Sequence, residues 1–74
     1  MKFAVTAVAM SRMTRRRVGK ARTEIVDTEE NELFHNRGVP ITIPLDVELA
    51  YESFWNDLNK NSTDIVKVVD VRKL

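Results

Sequence analysis

The sequence predicts a small α+β protein of two layers, in which one main amphipathic helix packs on one face of a largely antiparallel sheet. Residues 3–10 and 65–71 are dense in apolar and β-branched side chains, residues 18–26 resemble a strand of mixed polarity, and residues 46–60 have a helical apolar stripe. With a short helix at residues 27–38, the predicted order is β-β-α-α-β. The 74 residues contain no repeat and no linker, so we expect one domain, residues 1–74.

The first two predicted strands form a hairpin. Residues 3–10, FAVTAVAM, are apolar on both faces, which is typical of a central strand, although Ala and Met also favour a helix. Residues 18–26 would return beside them, and the connecting SRMTRRR would place arginines at the tip or at the outer ends of the strands. Gly19 predicts a β-bulge near this bend.

The middle of the chain predicts two helices. At residues 27–38, Asp27 or Thr28 is a candidate N-cap, and Gly38 is a candidate left-handed residue at the end. Residues 39–45, VPITIPL, contain two prolines and predict an extended connector or an edge strand. The second helix is predicted at residues 46–60, with Asp46 as its candidate N-cap. Its apolar stripe consists of Val47, Ala50, Tyr51, Phe54 and Leu58. The β-branched residues 65–71 then predict another central strand.

Composition excludes several classes of site. There is no cysteine and only one histidine, so disulfides and the usual zinc sites are excluded, and we expect no cofactor. No apolar run approaches the ~18 residues of a membrane span, and the apolar opening is shorter than a usual signal peptide. We therefore expect a cytoplasmic protein with no membrane contact. A chain of this length buries only about 60% of its unfolded surface, which favours burial against a partner chain, including a second copy.

Charge is strongly segregated along the chain. Residues 1–22 contain seven Lys or Arg and no acid, whereas residues 23–64 contain ten Asp or Glu and two bases. Residues 12–22, RMTRRRVGKAR, are called the basic hairpin here. The alternative function that they indicate is nucleic-acid binding, because guanidinium groups suit phosphate. The candidate residues are Arg12, Arg15, Arg16, Arg17, Lys20 and Arg22.

Two observations count against nucleic acid. The basic hairpin contains no aromatic residue for base stacking, and the sequence pI of about 8.1 is below the value above ~9 of dedicated nucleic-acid binders. A purely structural interpretation of the basic hairpin is a solvated turn whose arginines pair with the many acids of the same fold. Our leading hypothesis is therefore a small non-enzymatic interaction module that binds a protein partner and self-associates. Its candidate interface comprises Leu49, Tyr51 and Trp55. The alternative interpretation is that these side chains only widen the contact between the helix and the core.

Catalysis finds little support in the sequence. Glu32 and His35 have the i, i+3 spacing of carboxylate-bridged di-metal bundles, which would need a second copy from a dimer. This dimeric metal-binding protein is the weakest alternative, and a histidine near a helix C-terminus is the simpler interpretation. One histidine and no cysteine do not assemble the usual catalytic dyads within one chain, so we expect no enzyme activity.

Overall fold

A computed structural model describes residues 1–31, 34 and 41–74 of the chain. It contains three strands and one helix, in the order β1 (Lys2–Ser11), β2 (Arg17–Asp27), α1 (Pro44–Leu58) and β3 (Asp64–Lys73). The sheet order is β2-β1-β3, and β1 pairs antiparallel with both neighbours. The predicted α+β class with an antiparallel sheet and a helix packed on it is confirmed.

The central position of β1 follows from its apolar side chains. Phe3 and Val5 are fully buried and Val8 nearly so, which fits a strand with neighbours on both sides. The β1–β2 hairpin is confirmed, with a turn closed by hydrogen bonds from the Ser11 N–H to the Arg16 carbonyl and from the Arg15 N–H to the Ser11 carbonyl. The predicted bulge is also confirmed: the β1–β2 register shifts between Ala7 and Ala9, beside Gly19 at φ +84°.

The helix α1 begins two residues earlier than predicted. Ile43 is the N-cap residue and makes no side-chain cap, and Pro44 follows at the start of the helix, where its missing N–H costs nothing. The prediction of Asp46 as N-cap is therefore wrong. Asp46 lies in the first turn, where the helix dipole favours a carboxylate.

The segment after β2 does not begin the predicted helix at residues 27–38, because its first residues form a turn. Asp27 ends β2, and its carboxylate accepts a hydrogen bond from the Glu29 N–H at 3.0 Å, which folds residues 28–30 into a turn. That hydrogen bond, with the N-terminal ammonium 3.5 Å away, lowers the pKa of Asp27. The α-α part of the predicted order is wrong because there is one helix among the described residues. Gly38 lies outside the described residues.

The strand β3 is at an edge of the sheet, so its predicted central position is wrong. Side chains of α1 hydrogen-bond the outer backbone groups of Val66 and Val68, where a neighbouring strand would otherwise pair. Asn56 accepts a hydrogen bond from the Val66 N–H at 2.7 Å and donates one to the Val66 carbonyl at 3.1 Å. Glu52 accepts one from the Val68 N–H at 2.7 Å. The helix is thereby held against β3.

The core lies between α1 and the sheet. Its buried residues are Phe3, Val5, Val26, Phe34, Ile41, Val47, Ala50, Tyr51 and Val68. The predicted stripe of α1 is confirmed in its first half only, because Phe54 is 38% and Leu58 63% exposed. The side of α1 that carries Phe54 and Leu58 therefore extends beyond the core. Across the described residues, no helix has the length and apolar character needed to cross a membrane.

Candidate binding surface: the basic hairpin and an adjoining groove

All six candidate cations of the basic hairpin are exposed. The turn carries Arg12, Arg15 and Arg16, and β2 carries Arg17, Lys20 and Arg22. Within the part of the chain that the structure describes, none of the six forms an ion pair with a carboxylate. The only side-chain cation paired with a carboxylate there is Arg72, which binds Asp70 on β3. The purely structural interpretation requires ion pairs between these arginines and acids of the fold, and the described residues contain none.

The tip of the hairpin is fixed to the rest of the fold by Arg12. Its backbone N–H donates to the Thr63 carbonyl at 2.8 Å, and its Nε donates to the Ser62 carbonyl at 3.1 Å. Both acceptors lie in the connection between α1 and β3. Arg12 and Arg15 then line a depression of about 440 Å³ together with Lys67 of β3. A third strand therefore adds a cation to the same end of the sheet.

Arg15 has an unusual backbone. Its φ is +57°, in the left-handed region that glycine and asparagine occupy most easily. For another L-residue this conformation costs about 1–2 kcal/mol. The turn thus places an arginine where a glycine would fit with less strain.

A groove of about 730 Å³ lies on the helix side of the sheet, between β2 and α1, and is called the β2–α1 groove here. One wall is the bulged segment of β2, residues 18–22, with Lys20 and Arg22 among its side chains. The other wall is α1, through Tyr51 and Trp55, and the floor includes Ala7 and Ala9 of β1. The groove is open because the hydrogen bonds described above hold α1 against β3.

The two aromatic side chains of the groove are held in place by their neighbours. The Tyr51 hydroxyl donates a hydrogen bond to the Glu24 carboxylate at 2.9 Å. Burial raises the pKa of Tyr51 to about 12, and the hydrogen bond and the negative charge of Glu24 act in the same direction. The Trp55 ring contacts Tyr51 at a centroid distance of 6.2 Å and Phe54 at 5.3 Å, the latter edge to face.

The indole nitrogen of Trp55 is buried without a hydrogen-bond partner. Trp55 acts against the rise of the Tyr51 pKa, but its indole nitrogen makes no hydrogen bond to the Tyr51 hydroxyl. An unpaired buried donor costs about 1–3 kcal/mol, so Trp55 occupies this position at an energetic disadvantage.

The three residues of the predicted protein interface do not share one surface. Tyr51 is 8% exposed and belongs to the core, whereas Leu49 is 53% exposed. Trp55 is partly buried and lies between these extremes. Only Tyr51 and Trp55 are brought together, and they line the β2–α1 groove.

The predicted metal pair, Glu32 and His35, lies outside the described residues, so that alternative stays a prediction. Within the described ranges, no group of three or more His, Asp or Glu side chains gathers in a way that would hold a metal ion.

Comparisons with protein-family models, with curated proteins and with solved structures find no match for this chain. The class of protein is therefore argued from the surfaces described above.

Sequence reasoning missed the β2–α1 groove. It assigned Lys20 and Arg22 to one candidate surface and Tyr51 and Trp55 to another, because some thirty residues separate them in the chain. The available signals were Gly19, which marked the bulge, and the position of Trp55 beside the apolar stripe. Neither signal reveals that α1 leans toward β3 and leaves its aromatic side chains facing β2.

Proposed function

We propose that this chain is a small non-enzymatic nucleic-acid-binding module, whose contact surface is the basic hairpin. The single observation that carries the proposal is the exposed, unpaired state of the six cations in the described part of the fold. Arginine presents a planar fork of donors to phosphate, and each neutralised phosphate releases counterions. A cationic β-ribbon is also a shape that enters nucleic-acid grooves.

The strained backbone of Arg15 supports a role for that side chain. A conformation that costs about 1–2 kcal/mol for an L-residue is retained where the side chain is useful, and strain of this kind is enriched at functional sites. Lys67 extends the cationic surface beyond the hairpin onto β3. Arg12, whose Nε is hydrogen-bonded to the Ser62 carbonyl, loses less rotamer freedom on binding than a freely moving arginine would.

The experiment compares two double variants that change the formal charge equally. Arg15→Glu with Arg16→Glu reverses charge in the turn, and Arg72→Glu with Lys73→Glu does so at the exposed, opposite end of β3. Binding to mixed-sequence DNA and RNA is measured by fluorescence anisotropy at several salt concentrations. We expect the turn variant to lose binding and the β3 variant to retain most of it.

The salt dependence provides an independent criterion. Contacts with four to six phosphates correspond to a slope of log K against log salt of roughly −4 to −5 on duplex DNA. Equal losses in the two double variants would assign the effect to net charge and contradict the hairpin as the contact surface. A wild-type protein that binds neither DNA nor RNA at ~50 mM salt would overturn the proposal entirely.

Self-association is the second candidate function, and a specific observation favours it. Leu45 and Leu49 lie one turn apart on α1 and are 57% and 53% exposed, which leaves two large apolar side chains adjacent on the surface. A second copy of the chain that docks on this face would bury both. A solution mass above that of one 8.5 kDa chain, reduced by Leu45→Gln with Leu49→Gln, is the expected result. A strictly monomeric wild type would contradict it.

A further inference from the structure

We propose that the β2–α1 groove receives an unstacked nucleobase, so that the protein prefers single-stranded over duplex nucleic acid. This inference rests on the proposed function and assigns a site that the basic hairpin alone does not provide. Nucleic-acid binding without this groove would be a contact with phosphates only, indifferent to whether bases are present.

The groove combines the two chemical features that a nucleotide needs. Lys20 and Arg22 line it from β2, and Tyr51 and Trp55 line it from α1. Single-strand binders pair a cationic path for the backbone with aromatic side chains on which bases stack. The basic hairpin lacks aromatic residues in its sequence, and the fold supplies the partly buried Trp55 from a helix some thirty residues away, with the buried Tyr51 beside it.

The charges at the groove also favour an anionic occupant. Neither Lys20 nor Arg22 is paired with a carboxylate among the residues described, so both are available to a phosphate. Glu24, the nearest acid along β2, is hydrogen-bonded to Tyr51. A phosphate held by the two cations would leave its attached base beside the aromatic wall.

Size and shape fit the same occupant. The volume of about 730 Å³ falls within the range of roughly 300–1,000 Å³ that is usual for small-ligand pockets. The bulge beside Gly19 gives the β2 wall its shape, and bulges are frequent next to binding sites because they redirect side chains. The floor alanines, Ala7 and Ala9, leave room above the sheet for a planar ring.

Trp55 makes the groove directly observable, because it is the only tryptophan in the chain. The intact protein is titrated with oligothymidylate, with an abasic sugar-phosphate oligomer of the same length, with duplex DNA and with polyglutamate. Trp55 fluorescence reports the groove, and the anisotropy of labelled oligomers reports binding. We expect oligothymidylate to quench Trp55 and to bind at least about fivefold more tightly than the abasic oligomer.

Two variants test the role of the ring itself by anisotropy. Trp55→Leu removes the stacking surface, and we expect the preference for base-bearing strands to disappear. Trp55→Phe keeps an aromatic ring, and we expect most of the preference to remain. Circular dichroism establishes that each variant is folded, and the wild-type titrations decide the question if Trp55→Leu does not fold.

Three other outcomes of the titrations would each overturn a specific part of the proposals. Equal binding of the abasic oligomer and oligothymidylate, without quenching, overturns the groove and leaves the phosphate-binding hairpin intact. Binding of no nucleic acid overturns both proposals. Quenching by polyglutamate equal to that by oligothymidylate overturns the nucleobase as the occupant, because the groove would then accept polyanions without bases.

Discussion

The contact between Asn56 and Val66 gives the sharpest test of how α1 is held on the sheet. The Asn56 side-chain amide replaces a missing neighbouring strand, because it pairs with both the N–H and the carbonyl of Val66. Asn56→Ala removes both hydrogen bonds and leaves both backbone groups of a partly buried edge residue without their partner. We expect this variant to be markedly less stable than the wild type.

The magnitude follows from the two lost bonds. Each contributes about 1 kcal/mol net, so their loss costs about 2 kcal/mol. Alanine has a better helix propensity than asparagine and returns roughly 0.5 kcal/mol, which leaves a net loss of about 1.5 kcal/mol. For a domain of this size that corresponds to a decrease in Tm of roughly 6–12 °C. Total stability is expected to be about 4–11 kcal/mol, so the effect is easily measured.

Urea and thermal unfolding followed by circular dichroism measure this loss. Ser53→Ala is the matched control, because Ser53 is an exposed residue of the same helix whose side chain makes no hydrogen bond among the residues described. That control should be as stable as the wild type or slightly more so. Asn56→Asp keeps an acceptor for the Val66 N–H but loses the donor, so it should lie between the wild type and Asn56→Ala. An Asn56→Ala protein as stable as Ser53→Ala would refute the account of the β3 edge.

Two further predictions concern the β2–α1 groove. Because the pKa of Tyr51 is raised to about 12, above the unfolded value of 10.0, its neutral form stabilises the fold below pH 10, and this contribution is lost as pH rises toward 12. Phenolate absorbance of the single tyrosine should therefore titrate near pH 12, and an ordinary titration near 10 would contradict the burial. Gly19→Ala should lower the free energy of unfolding by about 1 kcal/mol, because alanine is strained at a φ of +84°. No atom lies within 4 Å of the added Cβ, so no steric clash adds to this cost, and Gly19→Asn should cost less. A fully neutral Gly19→Ala would show that the bulge relaxes to an ordinary backbone.

The strands and the main helix were predictable because their signals are local. The β-branched density of residues 3–10 and 65–71 and the stripe beginning at Val47 depend only on neighbours within a few positions. Gly19 marked the bulge for the same reason, since φ above zero selects glycine. These features needed no knowledge of what the segments pack against.

The two main errors have separate origins. The helix begins at Pro44, with Ile43 as its N-cap residue, because proline fits the first turn of a helix without any side-chain cap. The central position predicted for β3 rested on its valines. Its outer backbone at Val66 and Val68 is instead hydrogen-bonded by Asn56 and Glu52, side chains that lie ten and sixteen residues from their partners. Composition records how apolar a strand is but not which group completes its hydrogen bonds.

The candidate site was predictable only in its cationic half. A run of six bases without an acid is visible in the sequence, and its exposure follows from the charge. The aromatic half depends on where α1 lies across the sheet, which is decided by Asn56 and Glu52 at the β3 edge. The lack of aromatic residues within the basic hairpin counted against nucleic-acid binding at the level of sequence, whereas the fold places Trp55 on the wall of the groove opposite Lys20 and Arg22.

The two edges of the sheet are managed in opposite ways, and this difference bears on function. At β3, helix side chains hydrogen-bond the outer backbone groups of Val66 and the outer N–H of Val68, so this part of the edge is not free to pair with another chain. At β2, no side chain of the described residues hydrogen-bonds the backbone between residues 17 and 26. Its protection comes from the bulge and from exposed cations such as Lys20, which are the usual deterrents to pairing with a second strand.

Cations on β2 would protect this edge even in a protein that bound no nucleic acid. Their exposure therefore has two explanations, which an experiment must separate. A glutamate deters strand pairing as well as a lysine or arginine does, but it repels phosphate. Charge reversal therefore preserves edge protection while it removes attraction for a polyanion, whereas an apolar substitution would damage both. The turn arginines, Arg15 and Arg16, lie outside the paired strand and have no edge to protect. Loss of binding on their reversal, in a protein that stays folded and soluble, would assign the basic hairpin to recognition.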